Sequence, residues 1–474
     1  MTDRPVPPSP AHVDAVIRLM AAGLRSTAVG ATGLSDLTSD DWAAIHAIAH
    51  AQGIEALCFA ALPEQAADAM APDVFARWRH ESDLTLYRQL AYDAERESFL
   101  AAFADAGLSW LTLKGIDIVT YYPQPGLRSM GDQDLVVAFV ADGKADESRT
   151  AQAESIMTCV MAERGYAVDK ESDRELGFVK DDLHIECHRA MMSDGERANG
   201  FYGREVLDHY RNPWALAIPS DAADGGTPDV GAPDAGALDD GAPDAGMSGH
   251  AADDTAARRG RGYRLPADEE YLFHVAHMWK HYNCTGFGLR FLADTLVLRE
   301  HHRKRIDWTA MASTVESMGM GEFEATVWAL SETLLRHPDD WADRLGERER
   351  AMLAEIMGGG TYGRSDLLLV KQVQRRMAQA SARAGDGAAG AAGTGLTGNT
   401  GRAGRARVLA DYWMRRVMPD RETARIYYPK LAALPAWPLF VTAVRAGRAL
   451  AHPGRTMREI RQTLRRVGRE GSGE

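Results

Sequence analysis

Cysteine is scarce in this chain. Cys58, Cys159, Cys187 and Cys284 are scattered, with no C-x-x-C pair and no short spacing. That excludes a disulfide framework or a zinc knuckle and fits a reducing compartment. Long apolar runs are missing as well: no stretch approaches the roughly 18 to 20 apolar residues that span a bilayer, and the opening MTDRPVPPSP lacks a basic stretch followed by an apolar core. The expectation is a cytoplasmic protein, neither secreted nor membrane-spanning. MGGGTYGR, residues 357–364, lacks the G-K-[ST] ending of a phosphate-binding P-loop, and no H-E-x-x-H occurs. What is present is a globular composition, 45% hydrophobic and 26% charged. The 474 residues are enough for about two to four domains with real cores.

Positive charge is short overall, with 54 Lys plus Arg against 67 Asp plus Glu, and the shortage is uneven. Residues 401–474 hold 16 Lys plus Arg and 6 Asp plus Glu, a net of +10, which leaves −23 on the rest. An acidic body argues against stable DNA binding, because neutralising phosphates needs a basic face. The basic tail suits phosphates, acidic lipid or the acidic body itself.

Two low-complexity stretches divide the chain. Residues 220–260 contain a near repeat of GAPDAG with nine aspartates, and residues 380–405 are rich in Gly, Ala and Thr. The first cannot bury enough apolar surface to offset its ordering entropy and is expected to be a disordered insertion; the second has the composition of a flexible linker. Around them the expected organisation is an N-terminal helical region over 10–100, an α/β core over 101–215, a helical domain over 263–375 and a basic helical region over 406–467. AHVDAVIRLMAAGL, DDWAAIHAIAHAQG (with Asp40 or Asp41 as cap), the run from Pro72 to about Gly107 and ADEEYLFHVAHMWKHY have helical spacing. LSWLTLKG, QDLVVAFV and LHIECH read as strands, SRTAQAESIMTCVMAERG as a helix between them and GYAVDKESDRELG as turn-rich. The fold class is α+β, a small mixed sheet with helical regions on both sides. LAALPAWPLFVTAV, 431–444, followed by a basic flank, suits a helix docked on the body or one lying on a membrane surface.

The chemistry concentrates in LTLKGIDIVTYYPQPGLRSMGDQDLVVAFV, residues 111–140. Asp132 and Asp134 open an apolar strand, and residues i and i+2 of a strand project to one side. Two adjacent carboxylates repel unless a cation lies between them, and hard oxygen ligands suit Mg²⁺ with substrate phosphates. Glu186 in LHIECHR, flanked by apolar Ile185 and Cys187, is the candidate third acid. D-x-D alone also describes solvated acids at a strand start. Its context is more specific: Gly115 after a strand lets a phosphate approach the backbone, and Lys114 and Arg128 supply positive charge. His274, His277 and His281 share one helical face, where packing or substrate contact competes with metal binding. His188 falls on the side of Glu186.

LKG, then YYPQPGLRSMGDQDLVV, then HIECHR resembles the uncharacterised nucleotidyltransferases of the DNA polymerase β-like superfamily, and more distantly the AbiE-type toxins. The resemblance covers 108–190 well and 266–345 more loosely, through HMWKHYNCTGFGLRFLADTLVL. It departs from the superfamily in having Gly115-Ile116, seventeen positions before Asp132, where a Gly-Ser or Gly-Gly pair about ten before is usual. It implies Asp132, Asp134 and Glu186 as catalytic metal ligands, with Lys114, Gly115, Arg128, Lys280 and Arg290 on the nucleotide. The implied reaction uses two Mg²⁺ ions and passes a nucleoside monophosphate from an NTP to an acceptor hydroxyl. The acceptor (RNA, protein, sugar or small molecule) is left open. Two other readings are a catalytically silent nucleotide-binding or antitoxin-like module and a transferase of surface polysaccharide assembly at the membrane face, with the basic C-terminal region as peripheral contact.

Overall fold

The computed structural model describes residues 9–30, 34, 36–172, 175–192, 202–221, 259–361, 418, 421, 424, 431 and 434–451. The expected insertion is described only at its two ends, and the linker 380–405 and most of the basic region 406–467 lie outside these residues.

Helix α1 (Pro10–Leu24) starts where Ser9 accepts from the His12 amide, with Pro10 pre-set for the first turn. Helix α2 (Ser39–Ala51) is capped by Thr38, with Asp41 completing a capping box, so the cap precedes the aspartates expected for it. Two short helices, α3 (Glu55–Phe59) and α4 (Ala66–Ala69), lead to the 34-residue α5 (Pro72–Asp105). Val74 and Trp78 near its start join one hydrophobic core, and Tyr92, Phe99 and Phe103 further along join a second.

After α5 the chain builds the sheet: β1 (Ser109–Leu113), a turn into α6 (Gly115–Ile118), β2 (Gln133–Ala138), a small hairpin β3 (Val140–Ala141) and β4 (Lys144–Ala145), helix α7 (Thr150–Glu163), then β5 (Ala167–Glu171), β6 (Glu175–Lys180) and β7 (Leu183–His188). Helix α8 (Arg204–His209) precedes β8 (Ile218–Pro219), and β9 (Gly262–Arg264) follows the acidic insertion. The seven-stranded sheet runs β5-β6-β7-β2-β1-β9-β8, with β2 parallel to β7 and antiparallel to β1. GYAVDKESDRELG, which reads as turn-rich, supplies β5 and the first residues of β6. Every residue of β5 is exposed, so the strand has no apolar alternation to mark it.

The sheet is two-sided. Leu135, Val137, Ile185, Cys187 and Phe178 pack with residues of α5 and α7, among them Phe99, Met157 and Met161. Leu111, Leu113 and Val136 join the other core, shared by α1–α3 and the later helices α9 (Ala267–Cys284), α10 (Leu289–His301), α11 (Trp308–Ser317), α12 (Gly321–Arg336), α13 (Trp341–Arg344) and α14 (Glu347–Met357). MGGGTYGR begins as the end of α14, and Thr361 beyond it donates its amide to the Ala51 carbonyl. The last helix, α15 (Trp437–Ala451), buries Val441 with Ala424. Among the described residues the four cysteines are free, and no helix is long and apolar enough to cross a membrane.

Candidate active site

Register brings the acids together. Asp134 on β2 pairs with Leu113 on β1 and with Glu186 on β7, while Val136 pairs with His188. Side chains two apart share a face, so Asp134, Glu186 and His188 stand on the side away from α7. Their ligating atoms lie within 4.8 Å of one another, a grouping that suits a metal ion. Asp132 precedes β2, is exposed and lines the same cleft, but falls outside that group.

Asp134 is buried and heavily partnered. Lys114 Nζ donates to its Oδ1 at 2.8 Å, and His188 Nε2 is hydrogen-bonded to the same oxygen at 2.5 Å. Burial alone would raise this carboxyl; Lys114 and His188 outweigh it and hold Asp134 well below the usual carboxylate range. Glu186 moves the other way, raised by burial and then by the charges of Asp134, Glu175 and Asp132.

Lys114 reaches Asp134 from an unusual backbone. Its φ of 56° and ψ of −118° lie where glycine is normally found. Gly115 next to it is required by packing: a Cβ there would come within 2.7 Å of the Arg128 guanidinium. Arg128 is itself buried and forked onto Asp294 of α10, Nε to Oδ1 at 2.8 Å and a terminal nitrogen to Oδ2 at 2.9 Å. Tyr122 donates to the same carboxylate at 2.8 Å. Arg128 thus braces α10 against the turn after β1.

The opposite wall comes from α9 and α10. Lys280, His277, His281 and Arg290 line the cleft with the acids. Arg290 also donates to the Ser129 carbonyl at 2.9 Å. His277 and His281 face each other, Nε2 to Nε2 3.1 Å apart, and His274 is hydrogen-bonded to Thr295 at 3.0 Å. Burial pushes His274 down to about 4 and, with Lys114 next in weight, holds His277 well below its usual value, so both rings are neutral at pH 7. All three helical histidines belong to the cleft wall, and none is in the metal-suited group. The structure therefore brings every sequence-derived site residue, Lys114, Gly115, Arg128, Asp132, Asp134, Glu186, Lys280 and Arg290, to one cleft.

Residues 38–217 match the model of a family described as uncharacterised nucleotidyltransferase. The nucleotidyltransferase match takes in Lys114, Gly115, Arg128, the three carboxylates and His188; the α9–α10 wall lies beyond it. No curated protein and no solved structure matches the chain, so the distant AbiE-type resemblance has no matched protein behind it.

Several residues in the cleft or behind its wall were missed by sequence reasoning. Lys170 lies on the polar edge strand β5, and Glu175 stands in an acid-rich stretch that resembles a solvated loop. Asp117 and Glu270 also line the cleft. Asp117 accepts from Thr112 Oγ1 at 3.0 Å, and burial, followed by the charge of Glu270, pushes its carboxyl up to about 7. Tyr121 and His302 hold Glu270 at 2.9 and 2.7 Å. Only the placement of Asp117 on the turn after LKG was a usable signal.

Proposed function

We propose that this cleft transfers a nucleoside monophosphate from an NTP to an acceptor hydroxyl with release of pyrophosphate, using Mg²⁺ held by Asp132, Asp134 and Glu186. The observation that carries the reading is the division of one cleft into a carboxylate wall, with Lys114 bonded to Asp134, and facing cations Lys280 and Arg290. The donor set suits the ion: the oxygens are hard ligands, and the repulsion that raises Glu186 is what a divalent cation relieves. Bound there, Mg²⁺ supplies Lewis acidity to the phosphoryl oxygens and favours the ionised acceptor hydroxyl.

The chain's own groups do the rest. Lys114, Lys280 and Arg290 draw in the triphosphate and stabilise the charge that leaves with pyrophosphate. Arg128, with its fork on Asp294, keeps the Lys114–Gly115 turn seated against α10. His188 fixes the Asp134 carboxylate from behind. Neutral His274 and His277 extend the helical wall without adding charge that would compete for the phosphates.

Incubation of the purified protein with each α-labelled NTP and Mg²⁺, with and without cell extract, tests this reading beside an Asp132→Ala/Asp134→Ala control. Label on an acceptor that depends on both acids supports it and identifies the acceptor class. Absence of label together with absence of Mg²⁺-dependent NTP binding by calorimetry would replace it with the silent binding module. Peripheral contact with an anionic membrane is a second reading favoured by α15, where Leu439, Phe440 and Val444 are exposed in a region of net positive charge. Co-sedimentation with anionic vesicles, full chain against a chain ending at 405, tests it.

A further inference from the structure

The row of residues that carries the acids continues past the cleft. Lys170 on β5 pairs with Gly177 on β6, Gly177 with Glu186 on β7, and Glu186 with Asp134 on β2. β5 carries a register shift between Val168 and Lys170, the kind of irregularity that re-aims a side chain. At Gly177 a Cβ would lie 2.7 Å from Asp169 Oδ1 and 3.0 Å from the Lys170 Cβ. With glycine there, Lys170 crosses β6 and its ammonium reaches both Glu175 and Glu186, the latter at 3.5 Å.

Glu175 is the centre of this arrangement. Its side chain is 1% exposed, it does not line the cleft, and its Oε2 lies 3.2 Å from His188 Nδ1. His188, 2% exposed, turns its other nitrogen to Asp134. One buried carboxylate therefore connects to both acids of the wall, through His188 to Asp134 and through Lys170 to Glu186. Burying a charge is costly, and an apolar side chain on β6 would serve stability better.

We propose that Glu175, acting through His188 and Lys170, is the positioning residue that fixes Asp134 and Glu186 for a divalent cation. The proposal rests on the reading above, in which those acids hold the ion. Partners that orient metal-ligating groups influence affinity strongly, and their loss typically weakens binding about 10- to 100-fold. Glu175→Gln keeps the size of the side chain and removes its charge.

The test is Mn²⁺ binding by the full-length protein without nucleotide, read from the free-ion electron paramagnetic resonance signal, with thermal unfolding in parallel. Wild type is expected to bind Mn²⁺ and Asp134→Asn to lose it. Glu175→Gln is expected to bind about 10-fold or more weakly while still folded at the assay temperature. Equal affinity in wild type and Glu175→Gln overturns the proposal and leaves the functional reading standing. Absence of Mn²⁺ binding by wild type overturns both. If Glu175→Gln does not fold, Lys170→Met on the edge strand replaces it: weaker binding, restored in Lys170→Arg, supports the proposal, and unchanged or tighter binding overturns it.

Discussion

On β2 and β7, Leu135, Val137, Ile185 and Cys187 face α5 and α7, and all four are buried and apolar. On the other face Asp134 and Glu186 line the cleft with His188 buried behind them, a cluster held by Lys114, Glu175 and Lys170, while Val136 on the same side joins the second core. The first set removes apolar surface from water and stabilises the fold. The second keeps ionisable groups out of water at a cost that only mutual pairing offsets. Strand parity thus sets the acids apart from Leu135, Val137, Ile185 and Cys187, and substitutions in the two sets should have separable effects.

The largest expected effect is on the cleft side: Asp134→Asn should lower nucleotidyl transfer by on the order of 10³-fold, the equivalent of about 4 kcal/mol of transition-state stabilisation. Single-turnover rates at saturating NTP, with circular dichroism to establish folding, measure it. A loss smaller than tenfold would mean that Asp134 does not act in the reaction. Next comes the brace across the cleft. Asp294→Asn leaves the buried Arg128 without its carboxylate and should cost about 3–5 kcal/mol in denaturant unfolding; a change below 1 kcal/mol would show that the pair contributes little. On the apolar face, Leu135→Ala should cost about 2–5 kcal/mol while the activity of each folded molecule stays near wild type. Reduced turnover in fully folded Leu135→Ala would break the separation of the two faces.

The smallest effect sharpens the comparison through pH. Asp117 keeps its proton to about pH 7 in the folded state, whereas the unfolded chain releases it near pH 4. Between these values the unfolded state binds fewer protons, so this group's contribution is fully present at low pH and is lost as pH rises through 7. Asp117→Asn should flatten that part of the stability curve between pH 4 and 7.5, measured by denaturant midpoints. An unchanged slope would remove Asp117 as its source.

Much of the cleft was legible because strand parity is a local rule: GDQDLVV places two acids two apart ahead of an apolar run, and HIECH sets an acid between apolar neighbours. What was not legible depends on chain brought from elsewhere. Lys170 reaches Glu186 only because a bulge and a glycine let it cross an intervening strand. The fork of Arg128 closes on Asp294, 166 residues away. β8 and β9 are two and three residues long, too short for any period to show, and find their place by pairing beside β1. Glu175 was hidden by the polarity of its surroundings, because burial of a charge is decided by tertiary contacts that composition does not record.

Helix α5 has one further consequence. At 1.5 Å per residue its 34 residues make a rod about 50 Å long, with Trp78 anchored in one core and Phe99 and Phe103 in the other. Neither core can come apart without stripping side chains from the same rod, so melting of one is transmitted to the other along a single covalent strut. Heat or denaturant should therefore dissolve the helical and sheet regions in one cooperative step.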